Sequence, residues 1–332
     1  CDSKGVPELR DVLSHDVGSK RGVRYNIDNV VIQPGGKPTI WKFLATTMNE
    51  GDEVLYPNPG YPIYESQIRY QGGIPIPYSY DETETGFAID IEKLRSSITN
   101  RTTAFIYNNY QNPLSASSSI DEMEALAELA IENDLWVLSD DAYYEIRYND
   151  ESPLSIVNIP GMKERTIILY TFSKRFAMTG WRVGWLIGNK SVIGLGKKIQ
   201  SQATSNVSNV SQLAAEAALL NGLEVTNEMK IAFNRRRLFA TEKINSIPNL
   251  NVVDSTGAFY LFVDVSHYCS GKNGLNTSEE FCDWLLENYF IAFVPGEVFG
   301  TPGFMRLSYA LSDEDLDNGL SRLSEAIDNL NE

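Results

Sequence analysis

An α/β architecture is expected for this 332-residue chain: a large doubly wound, mainly parallel sheet domain over residues 1–225, then a smaller C-terminal α+β domain over residues 226–332. Two observations carry that expectation. Through the first two-thirds, short apolar runs alternate with stretches of helical spacing, the pattern of strands joined by crossover helices. In the last third the alternation gives way to one long polar helix followed by a mixture of short strands and helices.

In chain order, Val30-Val31-Ile32 is a short apolar run, followed by the turn Pro34-Gly35-Gly36 and a helix over 39–48. A second run covers 53–56 and ends at Pro57-Asn58-Pro59-Gly60. Residues 103–107 read as a strand, and 119–133 as a helix with Met123, Leu126, Ala127 and Ala130 on one face. Residues 135–138 and 166–170 are buried strands, and strands separated by helices imply parallel pairing. Residues 224–247 then form a long helix, on which Arg235-Arg236-Arg237 reads as a solvated face. Strands are expected over 259–265, 291–294 and 305–309, and helices over 278–288 and 313–330. With no internal repeat and no low-complexity linker, the two parts should pack closely.

Composition narrows the function. Lys and Arg number 28 against 44 Asp and Glu, a formal charge of −16, which weighs against nucleic acid or an anionic membrane as partner. No apolar stretch approaches the roughly 20 residues of a membrane-spanning helix. No signal-peptide pattern opens the chain, so a cytoplasmic location is expected. Cys1, Cys269 and Cys282 are an odd set without CxxC spacing, which argues against a disulfide framework, a structural zinc site or any other metal centre. His15 sits in Ser14-His15-Asp16, but a triad assembles in space and not from neighbours in sequence; His15 and His267 read as solvated surface residues.

In an open α/β sheet, ligands bind at the carboxyl ends of the strands. After the first run comes Gln33-Pro34-Gly35-Gly36-Lys37, which suits an anion at a helix N-terminus or simply a tight turn; it matches neither a Walker A loop nor GxGxxG. After 103–107 comes Asn108-Asn109-Tyr110-Gln111-Asn112-Pro113, and after 135–138 comes Ser139-Asp140-Asp141-Ala142-Tyr143. After 166–170 comes Thr171-Phe172-Ser173-Lys174. Singly these are a turn, a helix cap and a surface lysine. Together they bring an anion cradle, an amide, a carboxylate with a phenol, and a lysine to the edge where a site belongs. A lysine following a buried strand can be desolvated, which lowers its pKa and suits Schiff-base chemistry.

Residues 173–182, Ser-Lys-Arg-Phe-Ala-Met-Thr-Gly-Trp-Arg, closely resemble the cofactor-lysine motif of pyridoxal-phosphate (PLP) aminotransferases of the aspartate aminotransferase type, fold type I, class I/II. The resemblance spans essentially the whole chain. It runs in order through Gly35-Gly36-Lys37, Asn58-Pro59-Gly60-Tyr61-Pro62, Asn112-Pro113, Asp140-x-x-Tyr143, Gly257-Ala258-Phe259-Tyr260, Val294-Pro295-Gly296 and Arg306-Leu307-Ser308-Tyr309.

The resemblance implies a large domain that binds PLP as cofactor, with Lys174 carrying it as a Schiff base and moving the proton. It implies Asp140 against the pyridine nitrogen, Tyr143 and Asn112 on the phenolic oxygen, and Tyr61 stacked on the ring. The phosphate would be held by the amides of Gly36 and Lys37 with Thr171, Ser173 and Arg182, and the substrate α-carboxylate by Arg306. Asn112 would also border the substrate, and Lys37 would meet the distal carboxylate of a dicarboxylic substrate. The expected activity is amino-group transfer between an amino acid and a 2-oxo acid, with aspartate or glutamate and 2-oxoglutarate favoured, in a homodimer with shared active sites. The same fold also serves C–S lyases, cyclopropane-forming synthases and ligand-sensing regulator modules. The set Lys174, Asp140, Tyr143 and Arg306 argues against a catalytically silent relative.

Two positions depart from the family pattern. Asn112-Pro113 continues as Leu114-Ser115 where Thr-Gly is usual, and Asp141 stands where Glu is usual; a changed turn and a minor substitution are expected. The segment Gly5-Val6-Pro7-Glu8-Leu9-Arg10 resembles one that lies some tens of residues into family members. What precedes it there supplies a lid, substrate contacts and a tyrosine for the other subunit's phosphate, a residue that would fall just before Cys1.

Overall fold

The computed structural model of the protein describes residues 2–83, 86–148, 155–271 and 274–331; Cys1 lies outside the described residues. Seven strands form the main sheet: β1 (Val30–Gln33), β2 (Glu53–Pro57), β3 (Ile74–Tyr78), β6 (Thr102–Asn108), β7 (Trp136–Asp140), β8 (Thr166–Thr171) and β9 (Gly184–Ile187). A hairpin, β4 (Tyr80–Thr83) with β5 (Gly86–Ile89), stands apart from it. The order across the sheet is β1-β9-β8-β7-β6-β2-β3. Pairings from β3 to β8 are parallel, whereas β9 runs antiparallel to both β8 and β1. The sheet is thus mainly parallel, as expected, with one reversed strand. Only 12 residues join β8 to β9, and they hold the short helix α6 (Phe172–Arg175), named here ahead of its neighbours; a chain that turns back so soon is suited to antiparallel pairing.

Alternation along the strands separates two helical layers. Val31, Ile167, Leu169 and Leu186 point to the face covered by α2 (Lys37–Thr47), α3 (Ile63–Tyr70) and α7 (Lys190–Ala203). Val30, Ile32, Ile168 and Tyr170 point to the other, under α1 (Pro7–Lys20) and α8 (Asn209–Asn221). Farther along the same sheet, α4 (Ile91–Ser96) and α5 (Ile120–Glu132) cover Leu55, Phe105 and Val137. Ser119 caps α5 by accepting the Glu122 N–H, and Met123, Leu126, Ala127 and Ala130 are all buried, as their spacing predicts.

The C-terminal part is a four-stranded antiparallel sheet in the order β10-β11-β13-β12, made of β10 (Asn251–Val252), β11 (Tyr260–Asp264), β12 (Val294–Pro295) and β13 (Phe304–Ser308). It packs with α9 (Leu223–Asn245), α10 (Ser278–Tyr289) and α11 (Asp313–Asn331) around Phe233, Ile244, Val263, Phe281 and Leu323. The strand expected over 291–294 is reduced to Val294–Pro295, because Phe290 ends α10 in a left-handed conformation (φ 55°) and the chain pairs with β13 only from Val294. The basic run on α9 is also corrected. Arg235 and Arg236 meet Asp313, but Arg237 is buried, pairing with Asp254, donating to the Ser255 carbonyl at 3.1 Å and lying over the Tyr148 ring.

Candidate active site

Because β9 alone is reversed, β1, β6, β7 and β8 deliver their carboxyl ends to one edge of the sheet, and β13 faces that edge from the C-terminal part. A cavity of about 310 Å³ opens there. Gly36, Lys37, Tyr61, Asn112, Asp140, Tyr143, Thr171, Ser173, Lys174, Arg182 and Arg306 all line it, so every residue expected at the site is brought to one place.

Asp140 is the last residue of β7 and is buried. One carboxylate oxygen accepts from the Tyr64 hydroxyl at 2.7 Å and the other from the Ala142 N–H at 3.1 Å. Burial raises its pKa to about 6; those two hydrogen bonds and the Lys174 charge pull it down, while neighbouring Asp141 pushes it up. Asn108 ends β6, donating to the Asp140 carbonyl at 2.8 Å and accepting from the Asn112 N–H at 3.1 Å. Asn112 in turn accepts from Arg306 Nη1 at 2.8 Å, which ties the two parts of the molecule together across the cavity.

Lys174 lies in α6, whose first turn is capped by the Thr171 hydroxyl accepting the Ser173 N–H at 3.2 Å. Its Nζ stands 5.6 Å from the Tyr143 ring centre and 5.3 Å from that of Phe259. Burial and then the Arg306 charge lower its pKa, opposed by Asp140. The Tyr143 hydroxyl lies 2.9 Å from that of Tyr260, and burial holds the Tyr143 phenol protonated. Arg306 is held between the rings of Tyr260 and Phe299, at 4.3 and 4.8 Å. Tyr61 stands edge-on to Tyr64 with 5.7 Å between ring centres.

At the open side, the Thr171 and Ser173 hydroxyls are 2.9 Å apart. Arg182, in a left-handed conformation (φ 52°), donates to the Thr179 carbonyl at 2.8 Å and reaches toward Pro34. Gly35 (φ 91°) makes that approach possible: a Cβ there would overlap the Arg182 guanidinium. Lys37 is exposed at the rim. None of Lys37, Lys174, Arg182 and Arg306 has a carboxylate partner among the described residues. This donor set suits PLP: hydroxyls, first-turn amides and an arginine for a phosphate, a buried carboxylate for a ring nitrogen, and a desolvated amine for an aldehyde.

The family model for aminotransferase class I and II matches residues 1–323. The chain belongs to this family. The aminotransferase is 36% identical over 331 residues to a probable aspartate/prephenate aminotransferase of Aquifex aeolicus, covering 99% of this chain and 83% of that one. It is 37% identical over 328 residues to an aspartate aminotransferase of Streptomyces avermitilis, covering 97% and 80%. Among solved structures, the aromatic aminotransferase of Pyrococcus horikoshii superposes with a TM-score of 0.93 at 30% identity, covering 99% and 87%, and the aspartate aminotransferase of Thermotoga maritima with 0.91 at 31%, covering 99% and 84%. The protein is thus a PLP-dependent aminotransferase of α/β fold.

Sequence reasoning overlooked Tyr64, Asn108 and a part for Tyr260. Tyr64 lies in the first turn of α3, and nothing in its spacing marks it as a partner of Asp140. Asn108 could not be told from Asn109 without the strand's end. The Leu114-Ser115 departure is more than a changed turn. Ser115 is fully buried at φ 56°, its hydroxyl donates to the Tyr260 carbonyl at 3.0 Å, and its carbonyl accepts from Thr256 and Gly257. Asp141 is half of a buried ion pair with Arg21.

Proposed function

We propose that this aminotransferase exchanges the amino group of a dicarboxylic amino acid, aspartate or glutamate, with 2-oxoglutarate. One observation carries the reading: four cations and one carboxylate line the cavity of a chain whose net charge is −16. So positive a pocket in so acidic a protein suits a phosphate and two carboxylates together. The names of the Aquifex and Streptomyces relatives support the same substrates.

In this reading, Gly36, Lys37, Thr171, Ser173 and Arg182 hold the cofactor phosphate. Asp140 would hold the ring nitrogen, Tyr143 and Asn112 would hold the phenolic oxygen, and Tyr61 would cover the ring. Bound PLP supplies an electron sink for bond breaking at the substrate Cα. Lys174 Nζ, its pKa lowered by burial, takes the Cα proton of the donor and in the second half-reaction returns one to Cα of the product. Arg306 clamps the α-carboxylate with its bidentate fork, its orientation fixed by Asn112 and two rings. Lys37 at the rim contacts the distal carboxylate.

The protein works in the cytoplasm as a homodimer with shared active sites, built of units 1–225 and 226–332 that meet in the first turn of α9. Free Cys269 and Cys282 suit a reducing compartment, and no described helix is long and apolar enough to cross a membrane.

The test is the visible absorbance of the PLP-loaded protein. Aspartate should shift the band and release one equivalent of its 2-oxo acid, and 2-oxoglutarate should restore it. Lys174→Ala should abolish this turnover. Lys37→Ala should raise KM for aspartate about tenfold or more, the worth of one charge-assisted contact, and spare a monocarboxylic donor. A band that answers aromatic amino acids but neither aspartate nor glutamate overturns the dicarboxylate reading.

A further inference from the structure

The end of β7 carries two adjacent carboxylates that point opposite ways. Asp140 faces the cavity. Asp141 faces the layer beneath, where Ser139 donates to one of its oxygens at 2.6 Å and Arg21 grips the other through Nε at 3.0 Å and Nη2 at 2.6 Å. Arg21 is the residue that ends α1; it is 3% exposed, and its guanidinium lies 3.7 Å over the Tyr144 ring. Five residues before it on the same helix, Asp16 meets Arg175 at 3.1 Å, the residue that follows Lys174. Lys20 and Glu145 complete a set of three positive and three negative side chains. The last turns of α1 thus hold the immediate neighbours of both Asp140 and Lys174, from the side opposite the cavity.

We propose that Arg21 is a positioning residue for Asp140. It anchors Asp141 beneath the site, fixing the strand end that aims Asp140 at the cavity, and it cancels a negative charge that would otherwise stand beside the Asp140 carboxylate. The inference rests on the reading that Asp140 faces the cofactor nitrogen. The backbone supports it: the Asp141 N–H is held by the Leu169 carbonyl at 2.9 Å, and the next N–H, of Ala142, is the one Asp140 accepts. Movement of Asp141 therefore reaches Asp140 through one peptide unit. The charged and titratable groups around Asp140 are Tyr61 from the turn before α3, Tyr64 from α3, Asp141 and Tyr143 on its own segment, Lys174 from α6 and Arg306 from β13. Of these, Asp141 is the one that Arg21 pairs with.

The experiment follows the Asp140 carboxyl by carbon-13 NMR in the full ligand-free chain labelled at aspartate, with Asp140→Asn assigning the signal, alongside PLP affinity at pH 7. Asp141→Asn leaves the Arg21 charge alone beneath the site and should lower the Asp140 titration by about one pH unit. Arg21→Met leaves Asp141 alone and should raise it by a similar amount, leaving Asp140 about half protonated at pH 7 and weakening PLP about twofold. The double variant should return both readings close to wild type. Opposite shifts that cancel are not produced by a merely structural ion pair. If Arg21→Met does not fold, Asp141→Asn and the double variant decide. An Asp140 titration unmoved by Asp141→Asn, or moved the same way by both single changes, overturns the proposal. If Asp140→Asn binds PLP as tightly as wild type, the reading of Asp140 itself has failed, a result separable from the first.

Discussion

Asp140 is held in the fold at a cost. Its pKa near 6 lies above the ordinary 3.8, so the folded state binds its proton more tightly than the unfolded chain does. A raised carboxylate pKa means that stability is lost as pH rises from about 4 to about 6, and the full cost is present above that. In the ligand-free protein, Asp140→Asn should therefore gain on wild type by on the order of 2–3 kcal/mol between pH 4 and pH 7, read from denaturant melts at both. A constant difference would mean that the carboxyl is not desolvated. Ser115 poses a different residue-scale question, since it holds a left-handed backbone and a buried hydrogen bond together. Ser115→Ala should cost about 1–2 kcal/mol, and Ser115→Gly about 1 kcal/mol less, because glycine relieves the backbone while losing the same bond. At this scale the sequence was legible where chemistry and strand ends coincide, as at Lys174 and Asp140. It was not legible where a side chain serves another, as with Tyr64 beneath Asp140, because such a partnership is set by packing of α3 on the sheet and not by spacing.

Among the elements, α9 shows how a polar helix can be misread. Its arginines are consecutive, so they point in different directions and meet different surroundings. Arg237→Met should destabilise by about 2 kcal/mol, because it strips partners from Asp254 and the Ser255 carbonyl, whereas Arg235→Ala should leave the melting midpoint unchanged, its pair with Asp313 being exposed. Equal effects would mean that the burial of Arg237 is unimportant. Strands β1, β6, β7 and β8 were visible as apolar runs because each is buried on both faces. β9 is just as buried, but its four residues begin two positions after Arg182 and the motif that ends there, with no helical stretch between to mark a new strand. β12 was overestimated because an apolar run does not reveal how much of it finds a partner.

At the scale of the whole molecule, α8 turns an apolar stripe outward. Val210, Leu213, Ala217 and Leu220 recur at helical spacing and are exposed, with Val210 at 70% and Leu213 and Leu220 above 60%. This is the face the proposed homodimer would bury. Leu213→Glu with Leu220→Glu should convert dimer to monomer in analytical ultracentrifugation while leaving the fold intact by circular dichroism; an undisturbed dimer would place the interface elsewhere. The reversed strand β9 has a consequence of another kind, in the order in which the protein is made. β1 sits at the edge of the sheet with β9 as its only strand neighbour among the described residues, so Gln33 faces Gly184 across about 150 residues of chain. A ribosome adding roughly 5–20 residues per second needs about 8–30 seconds to cover that distance. The face that α1 presents, Leu9, Leu13 and Val17, waits longer still, for α8. Strand β1 is thus completed long after it is made; α1 can cover Val30 and Ile32 in that interval, but the pairing edge of β1 and the α1 surface that meets α8 stay open, which makes this α1–β1 segment the place where a holding chaperone would be needed.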